Sequence, residues 1–389
     1  MTRRELLQFF SLSATAALFS ACSTRDAQRI YNIATAPDPR LAAEQVARGY
    51  AQNPSAFFED AKRFANFVES FQKQSQQKWG KSAPSPKADT YVKYYDKFRS
   101  KSLVSFREGY VLVEALNDDG KAKTRLNQAI VYTLLTPADP SSAVSQYDAE
   151  APHMGKEPFL YGQVKDYEGK DIRWEWRAKR FASYLVANKV TQKSIKTDKG
   201  YVSVQSVKIP MVADHEAQRQ QNYSSYVTRY SAHYKLPRDL VYAIIKTESD
   251  FNPNAINSIP AIGLMQIVPK TAGVDAYSHV YDKKWTPSKN YLFDPKNNIE
   301  LGTAYLNILD TRYLADIRND KSREHCMIAA YNTGSGNVLK AFSSDRQKAK
   351  SIINSMNPES VYSHMRKHLP YEETRNYIYK VKKFRSEFS

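Results

Sequence analysis

The sequence predicts an α+β domain followed by a mainly α domain. Three observations predict it. Short runs of β-branched and aromatic residues lie at 103–106, 110–114 and 202–212. Helical periodicities at 124–135 and 173–188 sit among those runs. From about residue 216 onward only helical patterns remain, joined by loops rich in Asn, Pro, Gly and Ser.

The elements follow in order. Arg3 and Arg4 form a basic start, and Phe9 to Leu18 is a short apolar stretch, too short to span a bilayer. Small residues then precede Cys22. Residues 1–21 are expected to be a signal peptide of the lipoprotein type, with a twin-arginine variant also open. Cys22 would take the lipid, and 22–40 would be a polar tether. Helices are expected at Leu41–Gly49 and Ala56–Trp79, with a loop from Gly80 to Ala88. Leu103–Phe106 and Tyr110–Glu114 flank Arg107-Glu108-Gly109 and read as a hairpin. Helix Thr124–Leu135 stops before Pro137. Phe159–Val164 is expected to be a strand, Arg173–Asn188 a helix, and Val202–Val212 a strand broken at Pro210. These make a domain over 41–215, and 216–389 makes the helical domain.

Composition narrows function. The 389 residues are 42% hydrophobic and 25% charged, which is globular. The net charge of +17 draws polyanions, whether nucleic acid, anionic lipid or an acidic wall polymer. An export signal argues against a specific nucleic-acid partner. With Cys22 acylated, Cys326 has no partner for a disulfide and reads as a small core residue.

Glu248 is the residue that points to chemistry. Val241, Ile244, Ile245 and Glu248 share one helical stripe, so a carboxylate stands where the pattern calls for an apolar side chain. Asn252, Pro253 and Asn254 end that helix, which places Glu248 near its negative dipole end. Both effects favour the protonated acid. The alternative is a last turn that has reached the surface, where Glu248 is simply solvated.

Ordered motifs follow Glu248-Ser249. They are Gly263-Leu264-Met265-Gln266, Phe293-Asp294-Pro295-Lys296-Asn297-Asn298-Ile299, Ala330-Tyr331-Asn332-Thr333-Gly334-Ser335-Gly336 and Glu373-Thr374-Arg375-Asn376-Tyr377-Ile378. Their order and spacing resemble the family 1 lytic transglycosylases, which have a goose-type, lysozyme-like catalytic domain. Upstream, Tyr91-Val92-Lys93-Tyr94-Tyr95, Asp139-Pro140-Ser141-Ser142 and Lys156 to Val164 are similar to the N-terminal domain of the membrane-bound lytic murein transglycosylase C group.

The resemblance implies cleavage of peptidoglycan glycan strands without water, leaving 1,6-anhydromuramoyl ends. Glu248 would act as acid and then base, and Tyr377 would orient it. Ser258, Met265, Gln266, Tyr331, Asn332 and Glu373 would contact substrate. For Gln266, Asn332 and Tyr377 the alternative is a structural hydrogen bond between helices, for Met265 core filling, and for Glu373 an ion pair with Arg375. Ile259 and Pro260 depart from the family's usual residues before Gly-Leu-Met-Gln, and Ser258 would supply the hydroxyl. No cofactor and no metal are expected. His364 and His368 are four apart but lack a full ligand set, and read as a solvated basic face. Trp174 and Trp176 read as packing residues, with a glycan platform as the alternative. The expected location is the periplasmic face of a Gram-negative outer membrane. A hydrolytic muramidase and a non-catalytic murein-binding protein are the competing readings. Oligomeric state is not legible.

Overall fold

The computed structural model describes residues 70–138, 157–255 and 261–388. The chain divides into two compact units, Met1–Gln74 and Ser75–Ser389. Of the first, only residues 70–74 are described, and they are helical. Cys22, the signal and tether, the Leu41–Gly49 helix, Asp139–Ser142 and Ser258–Pro260 lie outside the described residues.

The second unit begins with a five-stranded antiparallel sheet. Its strands are β1 (Thr90–Tyr95), β2 (Ser100–Ser105), β3 (Tyr110–Leu116), β4 (Thr191–Thr197) and β5 (Gly200–Pro210), in the order β1-β2-β3-β5-β4. The expected β2–β3 hairpin forms. Gly109 closes it at φ +66°, and a Cβ there would strike the His215 ring at 2.6 Å.

Alternation sorts the faces. Tyr91 and Tyr95, Val104, Val111, Val113 and Ala115, and Val207 and Ile209 form one core face. One helix lies on it, and a second packs against the first and joins the same core. Ala122–Leu134 contributes Leu126, Ala129, Ile130 and Leu134, and Glu175–Asn188 contributes Ala178, Phe181, Ala182 and Leu185. The second set has the i, i+3, i+4, i+7 spacing of one helical stripe. On the opposite face Lys101 stands directly across from Glu114. Their ion pair spans 3.1 Å, with Lys193 on the other side of Glu114 at 2.6 Å. Burial pushes the Lys101 amine down to about 8 even so.

One expectation changes, and two strands go beyond those expected. Phe159–Val164 is a run of turns rather than a strand. Tyr161 N–H donates to Pro158 O and Gln163 N–H to Leu160 O, both at 3.0 Å, and Gly162 has φ +78°. Phe159 and Leu160 are buried in the core without entering a ladder. Strand β1 is legible only as part of a family motif. Strand β4, Thr-Gln-Lys-Ser-Ile-Lys-Thr, is an unpredicted edge strand whose polar exposed positions hide the alternation.

The rest is helical. The helices at His215–Asn222, Ser224–His233 and Arg238–Ser249 lead into those at Ala272–Tyr281, Lys289–Phe293, Pro295–Ile308, Asp320–Thr333, Ser335–Lys340, Arg346–Ser355, Pro358–His368 and Glu372–Arg385. The Arg238–Ser249 helix is buried almost all round, through Leu240, Val241, Tyr242, Ala243, Ile244 and Ile245. Cys326 is a buried core residue whose thiol burial pushes up to about 12. His364 differs from a solvated face. It stacks on Phe342 at 4.5 Å and hydrogen-bonds the Ala341 carbonyl at 2.9 Å.

The sheet is tied to the acid-bearing helix at its C-terminal end. Arg219 is 2% exposed and donates to Asp250 O at 3.2 Å, Phe106 O at 3.0 Å and Gln163 Oε1 at 3.0 Å. Arg107, at the hairpin tip, pairs with the Asp250 carboxylate at 3.2 Å. Asn252 Nδ2 donates to Ala88 O at 2.9 Å. Asp250 is therefore a buried, clamped residue and not a solvated one.

Candidate active site

Glu248 occupies the last turn of Arg238–Ser249. The helix ends abruptly because Asp250 and Phe251 both take left-handed backbone, at φ 53° and 60°. Such a conformation is strained for a side chain like Phe, and the surrounding contacts hold it. Phe251 is fully buried against Tyr242 and Phe388. Arg107 and Arg219 hold Asp250 as described.

The residue keeps part of its surface open, so substrate can reach it. Its carboxyl is nevertheless crowded by protein. Burial pushes it up to about 8, the Tyr377 hydroxyl pulls it back, and the charge of Glu373 raises it further. Burial is the main cause of the shift, and its direction favours the acid form. The Tyr377 hydroxyl is buried and meets full hydrogen-bond geometry with no protein group. Its interaction with Glu248 nevertheless lowers the carboxyl's pKa, so it lies close enough to act on it and can donate to the ionised form.

The Gly263-Leu264-Met265-Gln266 turn is built beside Glu248. Ser249 Oγ donates to Leu264 O at 2.7 Å. Ile262 and Ile267 exchange two backbone bonds at 3.1 and 3.0 Å, closing the turn. Asn298 pins it from outside. It accepts from Met265 N–H at 2.8 Å and donates to Ile262 O and Leu292 O at 2.8 and 2.7 Å. Gly263 is required here, since a Cβ would meet Asn298 Nδ2 at 2.4 Å.

Gln266 sits at φ 47°, another left-handed position at the site. Its Nε2 donates to Ala255 O and Gly263 O, at 3.2 and 2.9 Å. Those bonds fix the amide, and Oε1 is left buried with no partner. A buried orphan acceptor costs about 1–3 kcal/mol, so an incoming N–H would be bound there. Tyr331 is half-buried and donates to Met265 O at 2.8 Å. Asn332 Oδ1 accepts from Thr374 Oγ1 at 2.7 Å. The structural hydrogen bonds expected as alternatives are present for Gln266 and Asn332, and each amide has further capacity.

Met265 is placed differently. Its side chain is fully buried, and a Cβ at Gly302 would meet its sulfur at 2.3 Å. It packs between elements, as the core-filling alternative has it. Glu373 is exposed, while Arg375 turns to the Leu369 carbonyl and not to Glu373. Asp294 caps the Pro295–Ile308 helix by accepting from Asn297 N–H at 2.9 Å. Sequence reasoning gives no role to Ser249, Asn298 or Thr374, although all three lie inside the motifs. It gives none to Arg107 or Arg219, and nothing local marks them. Among the described residues, no group of three or more His, Cys, Asp or Glu side chains is arranged to hold a metal.

Comparison with known proteins supplies the family. Residues 57–222 match the N-terminal domain of membrane-bound lytic murein transglycosylase C, and residues 225–354 match the transglycosylase SLT domain. A membrane-bound lytic murein transglycosylase C of Photorhabdus laumondii is 44% identical over 291 residues, covering 75% of this chain and 80% of its own. This chain belongs to the membrane-bound lytic murein transglycosylase C family. The Yersinia enterocolitica member is 40% identical over 344 residues, covering 88% of this chain and 94% of its own. The 70 kDa soluble lytic transglycosylase of Escherichia coli is 26% identical over 43% of this chain and 24% of its own, with a TM-score of 0.33. In transglycosylase C terms, the sheet and its two helices fall within the N-terminal-domain match and the helices from Arg238–Ser249 to Ser335–Lys340 within the SLT match, while Pro358–His368 and Glu372–Arg385 lie beyond it.

The electrostatics of the site yield a prediction. Glu373→Gln removes a negative charge that raises the Glu248 pKa. The alkaline limb of the pH–rate profile should then move to lower pH, with turnover at the optimum retained within about threefold. A pH profile on purified murein checks it. Loss of activity at every pH would make Glu373 a second essential carboxylate, as in a two-carboxylate hydrolase.

Proposed function

We propose that this enzyme cleaves the β-1,4 bond between N-acetylmuramic acid and N-acetylglucosamine of peptidoglycan without water. The observation that carries this is a single carboxyl, Glu248, pushed up to about 8 by burial, with the Tyr377 hydroxyl beside it. Glu248 protonates the glycosidic oxygen, and the N-acetylglucosamine departs with that proton. The muramoyl acetamido group supports the positive charge at C1. The orphaned Gln266 Oε1 accepts a hydrogen bond from an acetamido N–H. Glu248, now a carboxylate, takes the proton from the muramoyl 6-hydroxyl as that oxygen bonds C1. The proton count closes, and Glu248 ends as an acid again. Tyr377 donates to the carboxylate between the two steps. Asn332 and Tyr331 line the sugar side, and Ser258 supplies a further hydroxyl.

Tyr377→Phe separates these roles. The hydroxyl lowers the Glu248 pKa, so its loss should raise that pKa and move the alkaline limb to higher pH. Support for the carboxylate should also be lost, at about 1.5–3 kcal/mol, or roughly 10–100-fold in kcat. An unchanged profile with unchanged kcat would remove Tyr377 from the mechanism.

We place attachment at the periplasmic face of an outer membrane, through lipid on Cys22, with domain limits of 41–215 and 216–389. The basic start, short apolar stretch and small residues before Cys22 support the anchor, and the change to purely helical patterns near residue 216 supports the domain limit. Among the described residues no helix is long and apolar enough to cross a membrane. Digestion of purified murein followed by mass analysis tests the reaction. The reading requires 1,6-anhydromuramoyl ends. Reducing muramic acid ends would replace it with a hydrolytic muramidase.

A further inference from the structure

Trp174 and Trp176 are not packing residues. They are 60% and 56% exposed at the start of the Glu175–Asn188 helix, and Tyr167 beside them is 46% exposed. Three arginines thread these rings. Arg173 lies 5.4 Å from the Trp174 ring centre. Arg177 and Arg180 lie 4.6 and 5.6 Å from that of Trp176, and Arg180 is also 5.4 Å from that of Tyr167. The loop beneath is rigid. The Asp166 carboxylate is buried, accepts from the N–H groups of Glu168 and Lys170 at 2.9 and 3.0 Å, and pairs with Arg177. Tyr167 is backed by the Tyr184 ring at 4.5 Å. Leaving two tryptophans this bare forgoes the stabilisation their burial would bring. They lie against arginines that are themselves ion-paired, and not in a core.

We infer that this aromatic and arginine patch is a second peptidoglycan-binding site, which stacks sugar rings of the glycan strand at a distance from Glu248. The charges choose this occupant over a lipid surface. The chain as a whole is +17, but the patch is balanced. Arg173 pairs with Glu157 at 3.7 Å, Arg180 with Glu168, and Lys179 with Glu175 at 2.7 Å. Attraction to anionic headgroups needs unpaired cations. A sugar ring instead needs an apolar face to stack on, and planar donors and acceptors at its rim for hydroxyl and acetamido groups. Trp174 and Trp176 supply the first, and the Arg–carboxylate pairs supply the second. A long strand held here stays near the active site at high effective concentration. This inference rests on the proposed function for the identity of the polymer.

The test uses the full chain carrying Glu248→Gln, so that binding is read without cleavage. Its co-sedimentation with purified murein sacculi is compared with and without Trp174→Ala/Trp176→Ala. The double substitution is expected to weaken binding by about tenfold, which corresponds to one or two lost stacking contacts. A Trp174→Phe/Trp176→Phe version, which keeps the rings, should restore most of it. With Glu248 intact, the double Ala variant should release products from sacculi more slowly while turning over a short soluble glycan at the wild-type rate. Equal sacculus binding by all variants would overturn the inference. So would loss of binding to vesicles of anionic phospholipid with sacculus binding unchanged, which would make the patch a membrane contact. Absence of cleavage by the wild type would defeat the proposed function instead, and the sedimentation result would still stand.

Discussion

Glu248→Gln is expected to lower the murein cleavage rate by about 10³-fold or more, because one side chain serves as both acid and base. The same substitution should stabilise the protein, and the sign follows from the pKa. Burial pushes the folded-state carboxyl up to about 8, well above its ordinary value. Below the unfolded pKa both states are protonated, and Glu248 imposes no penalty. As pH rises toward 8, the unfolded chain ionises while the folded one does not, and stability drains away. Gln is neutral throughout. The variant should therefore melt at about the wild-type temperature near pH 4 and roughly 5 °C higher near pH 8. Thermal melts at the two pH values check this. An equal Tm difference at both would mean that Glu248 is an ordinary solvated carboxylate. Retained cleavage would show that Glu248 is not the acid.

Arg219→Ala carries the largest expected structural effect. The guanidinium is buried and joins Phe106 and Gln163 of the sheet domain to the backbone of Asp250, two residues after Glu248. Its removal strands those acceptors and leaves the buried Asp250 carboxylate with Arg107 as its cation. A cost of about 3–5 kcal/mol is expected, as when a buried ionic contact loses one partner. Denaturant melts read the stability. Where the variant still folds, kcat should fall with KM little changed, since the strained backbone at Asp250 and Phe251 aims Glu248 and does not bind sugar. Arg219→Lys should recover only part, because an ammonium lacks the guanidinium's planar fork. A variant as stable and active as wild type would show that the sheet domain does not support the acid.

Much of this is legible in the amino-acid sequence. Glu248 stands out because an apolar stripe ends in a carboxylate, and in the fold that stripe, Val241, Ile244 and Ile245, is buried. The hairpin at Arg107-Glu108-Gly109 is legible from its glycine and flanking runs. What escapes is non-local. Arg219 and Arg107 look like ordinary surface cations in sequence, and their meaning lies in residues 31 and 143 positions away. Strand β4 escapes because an edge strand faces water and shows little apolar alternation. Phe159–Val164 misleads because its apolar run feeds the core from turns. Trp174 and Trp176 mislead in the opposite sense, since large aromatics are usually covered.

The central claim is that one carboxyl cleaves the glycan and no water enters. Digestion of murein in heavy-oxygen water, followed by mass analysis of the muramoyl ends, tests it most directly. The account predicts ends that lack the mass of one water and carry no label. Labelled reducing ends formed at the rate of cleavage would contradict it.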